Sequence, residues 1–306
     1  MKIDVLKQEK LTLIEVDNGA LKVTLCDLGA SFYGIKYHND EMILRVKNQD
    51  DFLLPNLYFG KTIGRVCGRT SINPFEIYDQ KYKLQDNDNG TSLHGGLDGL
   101  SNKIFHHEIR GEDGTAIVTF SYLSKDGEAG YPGNLSLKVI YLITKNQINV
   151  KFLATTDAPC LISLTNHAYF NLGESSVEKL SLQLSSRECV VFDEKAFPLK
   201  TQAVKKNWDF SKGKSLSETG EIDNYFIFDN EKELTLKSSK YKLNIKTDFL
   251  GVQLYTDNYV SVDATSSEQN IHRSIAIEPE NNPLNRQVLM PDDYYEKGIE
   301  YRFEKL

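Results

Sequence analysis

Two histidines in this sequence are framed by residues that would let them exchange protons with a ligand. His167 lies at the centre of a polar and aromatic run that extends from Ser163 to Gly173. Histidine changes its charge near neutral pH, so it can give or take a proton under working conditions. Asn166 and the rings of Tyr169 and Phe170 add hydrogen-bonding groups and flat apolar faces, which are the contacts that a sugar requires. A single histidine among aromatic residues is more often structural, so the interpretation depends on the other stretches.

His94 is the second candidate. It lies near the end of the turn-rich loop 87–96, directly before the glycine pair Gly95 and Gly96, which leaves its imidazole uncrowded. Loops held by a β scaffold are common sites for binding residues. The remaining histidines have no such framing and are predicted to be structural or solvent-exposed: His38, His106, His107 and His272.

Arg69 ends the glycine-rich run 60–70, which does not fit the frame of a phosphate-binding loop and so does not indicate nucleotide binding. The guanidinium of Arg69 could present a fork of donors to sugar oxygens, or it could be a surface arginine on a turn.

Glu278 ends an apolar strand-like run that begins at Ile275. Burial would raise the pKa of such a carboxyl group towards neutrality, as a general base requires, unless the side chain reaches solvent where the strand ends. Glu280 is the weaker candidate because it lies further into the loop. Asp223 stands beside Tyr225, where it could accept hydrogen bonds from neighbouring hydroxyls or be a solvated turn acid.

Charge and cysteine spacing exclude several classes of protein. The 306 residues carry a formal net charge of −7, which argues against a nucleic-acid partner. The four cysteines stand far apart, so neither a zinc cluster nor a disulfide framework is indicated. No apolar run is long enough for a membrane span, and charges interrupt the first ten residues, so we expect a cytoplasmic protein without membrane attachment.

The chain reads as all-β. Short β-branched and aromatic runs alternate with Asn-Gly and Gly turns, and the runs 115–122, 135–144 and 148–155 predict consecutive strands. Long amphipathic helical patterns and linkers are missing from the sequence, which predicts one large antiparallel β-sandwich domain over 1–306 with few short helices. The polar stretches 45–51, 205–221 and 264–273 are expected at its rim.

Six blocks in order resemble the aldose 1-epimerase (galactose mutarotase) family. They are Gly64-Arg65-Val66-Cys67-Gly68-Arg69, Leu93-His94-Gly95-Gly96, the turn region 126–134, Leu164-Thr165-Asn166-His167-Ala168-Tyr169-Phe170-Asn171-Leu172, Gly251-Val252-Gln253-Leu254-Tyr255-Thr256 and Ile277-Glu278. The resemblance implies a large β-sandwich with an open cleft, no cofactor and no metal. It also implies interconversion of the α and β anomers of free aldohexoses such as galactose and glucose.

The resemblance also assigns roles to residues. His167 would protonate the ring oxygen and Glu278 would remove the proton of the anomeric hydroxyl. Four further residues would hold the sugar hydroxyls and two would line the site: Arg69, His94, Asp223 and Gln253, with Gly68 and Tyr169.

At three places the sequence departs from the usual residues of the family, and these departures concern the preference for a particular sugar. Gly68 replaces the Asn of some relatives, Asn224 follows Asp223 where many relatives have His, and the loop Asn282–Asn285 differs from the usual text.

Three alternatives stay open. A hexose-6-phosphate 1-epimerase would add basic residues, a glycoside hydrolase would pair Glu278 with Asp223, and a non-catalytic carbohydrate-binding protein could lose the acid or the base. The expected partner is a small-molecule monosaccharide, and the expected assembly is a monomer or homodimer.

Overall fold

The computed structural model describes residues 1–77, 80–112, 114–259 and 271–306. The predicted mostly-β chain is confirmed, because the described strands form three large sheets and four two-stranded pairs, and every named strand pair is antiparallel. Among these residues the helices are one α-helix, Gln49–Phe52, and the 3-10 turns Leu100–Asn102, Glu128–Gly130, Val177–Lys179, Lys206–Trp208 and Leu216–Glu218.

The largest sheet has nine strands. In spatial order they are His106–Glu112, Thr115–Ser124, Leu135–Ile143, Gln147–Thr156, Tyr295–Lys305, Tyr241–Thr247, Glu233–Lys237, Ser181–Leu184 and Lys214–Ser215. The three consecutive strands predicted from 115 to 155 are confirmed to within about two residues. The last strand begins at Tyr295, and Gly298 and Ile299 continue its pairing with Gln147–Thr156.

Two further sheets flank it. The five-stranded sheet contains Lys2–Lys7, Thr12–Asp17, Leu21–Cys26, Ser31–Tyr37 and Asp40–Glu41. The six-stranded sheet contains Tyr169–Phe170, Ile275–Glu280, Gly251–Tyr255, Asp223–Ile227, Glu188–Phe192 and Pro198–Ala203. The two-stranded pairs are Arg69–Ser71 with Thr91–Leu93, Thr62–Ile63 with Thr165–Asn166, Cys160–Ile162 with Gln287–Leu289, and Phe75–Ile77 with Gln80–Tyr82.

One hydrophobic core joins the three sheets. Along Leu135–Ile143, buried residues alternate with less buried ones, so each strand presents one apolar face. A single cluster of buried side chains includes Val16, Phe152 and Val252, one from each large sheet. This packing of sheets on a shared core confirms the predicted antiparallel sandwich. The single-domain boundary 1–306 stays a prediction.

The rim stretches and cysteines follow the sequence analysis in part. The stretch 45–51 enters the short α-helix, and 205–221 contains two 3-10 turns and an edge strand of the large sheet. Residues 264–270 of the third stretch lie outside the described part of the chain. The four cysteines are buried and free. No helix in the described ranges is both long and apolar enough to cross a membrane.

Candidate active site

A cleft of 340 Å³ opens above the six-stranded sheet. Adjacent strands bring Tyr169, Glu278, Gln253 and Asp223 to it, although these residues are up to 109 positions apart in the chain. Gln253 and Glu278 are direct partners across neighbouring strands, so their side chains leave the sheet on the same face. Gln253 Nε2 donates to Asp223 Oδ1 over 2.7 Å, which orders the polar edge of the cleft.

His167 lies between two short strands that fix its backbone. Its N–H donates to the Lys61 carbonyl over 2.9 Å, and its own carbonyl accepts from Gly60 N–H at 2.9 Å. The Asn166 side chain donates to the Gly60 carbonyl over 2.8 Å and is fully buried. Asn166 therefore holds the backbone behind His167, which corrects the expectation that it offers hydrogen bonds to a ligand.

His167 and Glu278 face each other at the floor of the cleft. Nε2 of His167 lies 3.3 Å from Oε1 of Glu278, and the two side chains are only 5% and 3% exposed. Among the described residues, His167 Nδ1 and Glu278 Oε2 find no hydrogen-bond partner. Buried polar atoms are normally satisfied, so two unpaired atoms lining one cleft indicate a site prepared for a polar ligand.

Burial shifts the two groups in opposite directions. Desolvation lowers the pKa of His167 to about 3, so its imidazole is neutral at pH 7. Desolvation, followed by the charges of Glu280 and Asp223, raises the pKa of Glu278 well above its ordinary value. The resting pair therefore holds a proton on Glu278 in preference to His167.

The opposite wall comes from the Arg69–Ser71 and Thr91–Leu93 strand pair, in which Arg69 is the partner of Leu93. His94 follows directly, with a backbone φ of +54°. Its Nδ1 accepts a hydrogen bond from the Gly68 N–H over 3.3 Å, and burial lowers its pKa, so the neutral ring carries its proton on Nε2. Arg69 Nε donates to Asp88 Oδ2 over 2.7 Å, which fixes the guanidinium at the cleft.

The donor atoms of His94, His167 and Glu278 lie within 4.8 Å of one another, a spacing that a metal ion could span. Nδ1 of His94 accepts a hydrogen bond from the Gly68 N–H, so the neutral ring carries its hydrogen on Nε2. Neither ring nitrogen of His94 therefore offers a metal ion a free lone pair. The donor set does not fit a metal ion well, and we assign none. The expected absence of a cofactor stays a prediction.

The structure gathers the eight residues singled out from the sequence around this cleft: Gly68, Arg69, His94, His167, Tyr169, Asp223, Gln253 and Glu278. Their individual roles stay predictions. The other histidines do not line it, which agrees with their expected structural or exposed character.

Sequence reasoning missed two contributors to the cleft, Tyr58 and Arg286. The ring of Tyr58 packs edge-on against His94 at 4.6 Å and stacks on His167 at 5.8 Å, so it contacts both histidines. Glu280, the weaker acidic candidate of the sequence analysis, also lines the cleft, and it belongs to the strand Ile275–Glu280 and not to a loop. For Tyr58, the available sequence signal was its place in the aromatic pair Tyr58-Phe59, directly before Gly60. Arg286 carried no local signal beyond its place next to the unusual loop.

The three places at which the sequence departs from the usual residues of the family have different structural consequences. Gly68 has a φ of +69°, and an added Cβ would have no atom within 4 Å, so Asn, which tolerates this conformation, would also fit. Asn224 Nδ2 donates to the Val190 carbonyl over 2.7 Å, which directs it to a neighbouring strand. The altered loop brings Pro283 and Arg286 to the cleft wall.

Comparison with known proteins gives consistent results. A family model described as aldose 1-epimerase matches residues 12–302. The chain is 27% identical to galactose mutarotase from Mus musculus, over 85% of this chain and 81% of that protein. It is 28% identical to aldose 1-epimerase from Haemophilus influenzae, over 82% of this chain and 80% of the relative. The crystal structure of galactose 1-epimerase from Lactobacillus acidophilus has the same fold, with a TM-score of 0.92, 24% identity and 99% of both chains covered.

Proposed function

The chain belongs to the aldose 1-epimerase family and is an epimerase, and from this premise we propose that it interconverts the α and β anomers of free aldohexoses such as galactose and glucose. The observation that carries the proposal is the buried His167–Glu278 pair, whose facing atoms are 3.3 Å apart in a cleft of 340 Å³. Mutarotation requires a proton to leave one oxygen and another to reach its neighbour, and this pair supplies two such groups side by side.

In the proposed reaction, the carboxylate of Glu278 removes the proton of the anomeric hydroxyl while the C1–O5 bond breaks. The His167 imidazolium gives a proton to the ring oxygen, so the open-chain aldehyde forms. Rotation about C1–C2 presents the other face of the aldehyde, and the same two transfers in reverse close the ring as the other anomer. The proton count of the pair is the same before and after the cycle.

The pKa shifts support these roles. A carboxylate with a raised pKa is a stronger base, and an imidazolium with a pKa of about 3 is a stronger acid than free histidine. The reactive ionic form is less populated than the neutral pair, but transfer of one proton between Glu278 and His167 interconverts the two forms.

The remaining cleft groups fit an uncharged sugar better than a sugar phosphate. Both terminal nitrogens of Arg286 donate to backbone carbonyls, at 2.8 Å to Cys67 and 2.6 Å to Arg69. Arg69 is itself paired with Asp88. Asp88 offsets the charge of Arg69, and the two carbonyl groups occupy donors of Arg286, so neither of these two cleft arginines in the described part of the chain is fully available to a phosphate. The hexose-6-phosphate alternative is therefore the weaker one.

Polarimetry tests the proposal. Freshly dissolved α-D-galactose and α-D-glucose are followed with the wild-type protein, with His167→Gln and with Glu278→Gln. We expect the wild type to accelerate the approach to anomeric equilibrium and each variant to fall towards the spontaneous rate. If the wild type accelerates no free aldose, the proposal is wrong, and glucose 6-phosphate is the next substrate to test. The cytoplasmic location and the monomer or homodimer state stay predictions.

A further inference from the structure

The strand that carries Glu278 places a second acidic residue in the same cleft. Glu280 is two positions further along Ile275–Glu280, and alternate residues of a strand point to the same face. Both carboxyl groups line the cleft, and Glu280 is only 4% exposed. The proposed acid–base chemistry uses Glu278 and leaves Glu280 without a role.

The surroundings of Glu280 favour its charged form more than those of Glu278 do. Arg286 lies near it on the cleft wall, where carbonyl groups of Cys67 and Arg69 fix the guanidinium. The Cys67 thiol lies near enough to lower the pKa of Glu280, and Tyr225 OH donates to the Glu280 backbone carbonyl over 3.1 Å.

These contacts identify the ionisable groups that face Glu280. Among the described residues they are Glu278 from its own strand, Cys67 and Arg286 from the loops beside it, Tyr225 from the strand Asp223–Ile227 of the same sheet, and Tyr295 from the nine-stranded sheet. Arg286 supplies the positive charge of this group.

We propose that Glu280 is a positioning residue for the epimerase reaction, whose negative charge beside Glu278 makes the Glu278 carboxylate a stronger base. The proposal rests on the function proposed above. Burial raises the pKa of Glu280 to about 7, with the Cys67 thiol and the Arg286 charge opposing the rise. The charge of Arg286 favours the charged form of Glu280, and the charge of Glu280 in turn opposes ionisation of Glu278 and raises the pKa of that carboxyl group.

The expected size of this coupling follows from strand geometry. Residues two positions apart are roughly 7 Å apart along a strand. At an effective dielectric constant of about 20, two like charges at that distance shift a pKa by one to two units. Replacement of Glu280 by glutamine keeps the shape and removes the charge, so the pKa of Glu278 should fall by about one to two units.

Carbon-13 NMR of glutamate-labelled protein measures this directly. The Glu278 carboxyl resonance is assigned with Glu278→Gln and titrated in the wild type and in Glu280→Gln. The matched control is Glu296→Gln, which removes the same charge from an exposed side chain paired with Lys151. We expect the Glu278 transition to move to lower pH in Glu280→Gln and to be unchanged in the control.

Kinetics provides the second measurement. The pH profile of kcat/KM in Glu280→Gln should move to lower pH by the same one to two units, whereas a purely structural role would lower the rate without moving the profile. If the Glu278 resonance of a folded Glu280→Gln protein titrates as in the wild type, the proposal is wrong. If the wild type shows no epimerase activity but the resonance moves, the coupling stands and only the proposed function fails.

A second variant covers the case in which Glu280→Gln does not fold. Arg286→Gln removes the positive charge, so the Glu280 resonance should titrate above its wild-type pH. An unchanged Glu280 transition in that variant would also overturn the proposal.

Discussion

Two buried pairs of ionisable side chains lie at similar depth in this protein and differ in how they are satisfied. Arg273 Nε lies 2.6 Å from Asp257 Oδ2, and these side chains are 1% and 3% exposed. A second Arg273 nitrogen, Nη2, donates to Asp257 Oδ1 over 3.1 Å. His167 and Glu278 are as deeply buried, yet they share one contact of 3.3 Å and each has an unpaired polar atom within the described structure.

The difference in hydrogen bonding gives the two pairs different roles, one in stability and one in ligand binding. The Asp257–Arg273 pair joins the end of Gly251–Tyr255 to the start of Ile275–Glu280, so it fixes the two strands that carry Gln253 and Glu278. Removal of either partner of such a buried pair leaves the other charge unpaired and strongly destabilises the fold. The His167–Glu278 pair keeps its free hydrogen-bonding capacity for a ligand, at a cost in folding free energy.

The largest expected effect is on the activity of Glu278→Gln. Loss of the base should lower kcat by about 10²- to 10⁴-fold. The free energy of unfolding at pH 7 should stay equal or rise, because Glu278 must take up a proton on folding, a cost that an amide does not have. Polarimetry and urea unfolding on the same preparation measure both. A large loss of stability would mean that this pair is structural, as Asp257–Arg273 is, and the comparison would break.

Asp257→Asn should show the opposite behaviour. Removal of one charge from a buried pair costs about 3–5 kcal/mol of folding stability. The matched control is Glu296→Gln, which breaks an exposed pair with Lys151 and should cost at most about 1 kcal/mol. Urea unfolding measures both variants. Equal stability losses would show that Asp257–Arg273 contributes no more than a surface pair.

The cleft pair should also make stability depend on pH. The folded pKa of His167 is about 3, below the unfolded value near 6.5, so the unfolded chain binds a proton first as the pH falls. The stability contributed by neutral His167 is therefore present above pH 6.5 and is lost progressively down to pH 3. Between pH 7 and pH 4.5, the free energy of unfolding should fall by about 3 kcal/mol less in His167→Gln than in the wild type. Parallel losses in the two proteins would contradict the shifted pKa.

The smallest effect is expected at Gly68, on the open side of the cleft. Gly68→Asn should change kcat/KM by less than about threefold, because Asn tolerates the left-handed backbone and the space is open. Gly68→Val is the contrasting variant, since a β-branched residue is strained by about 1–2 kcal/mol at this φ. Thermal unfolding and polarimetry distinguish them. A severe defect in Gly68→Asn would mean that this wall packs as tightly as the core.

The sequence predicted the parts of the protein that local pattern determines. The β-branched and aromatic runs 135–144 and 148–155 located the two strands that the structure places at Leu135–Ile143 and Gln147–Thr156. Residue type and framing were sufficient to single out His167 and Glu278. Asn166 was misinterpreted, because its side chain turns towards the Gly60 carbonyl and only the three-dimensional structure shows that direction.

Contacts between residues that are far apart in the chain could not be predicted from the sequence. Arg286 reaches the carbonyl groups of Cys67 and Arg69, which are more than 200 residues away in the chain. Tyr58 joins the two histidines through ring contacts that no spacing rule predicts. The Asp257–Arg273 pair depends on two strand ends that meet only in the folded sheet.

The place of Tyr295–Lys305 in the nine-stranded sheet has a consequence for the order of folding. This last strand lies between Gln147–Thr156 and Tyr241–Thr247, so it joins two halves of the sheet that are otherwise not neighbours. On a ribosome, the earlier hairpins can form as they emerge, but the sheet cannot close until residue 305 has been synthesised. Until then the two strand edges that Tyr295–Lys305 will cover are unpaired, and unpaired strand edges are prone to aggregation.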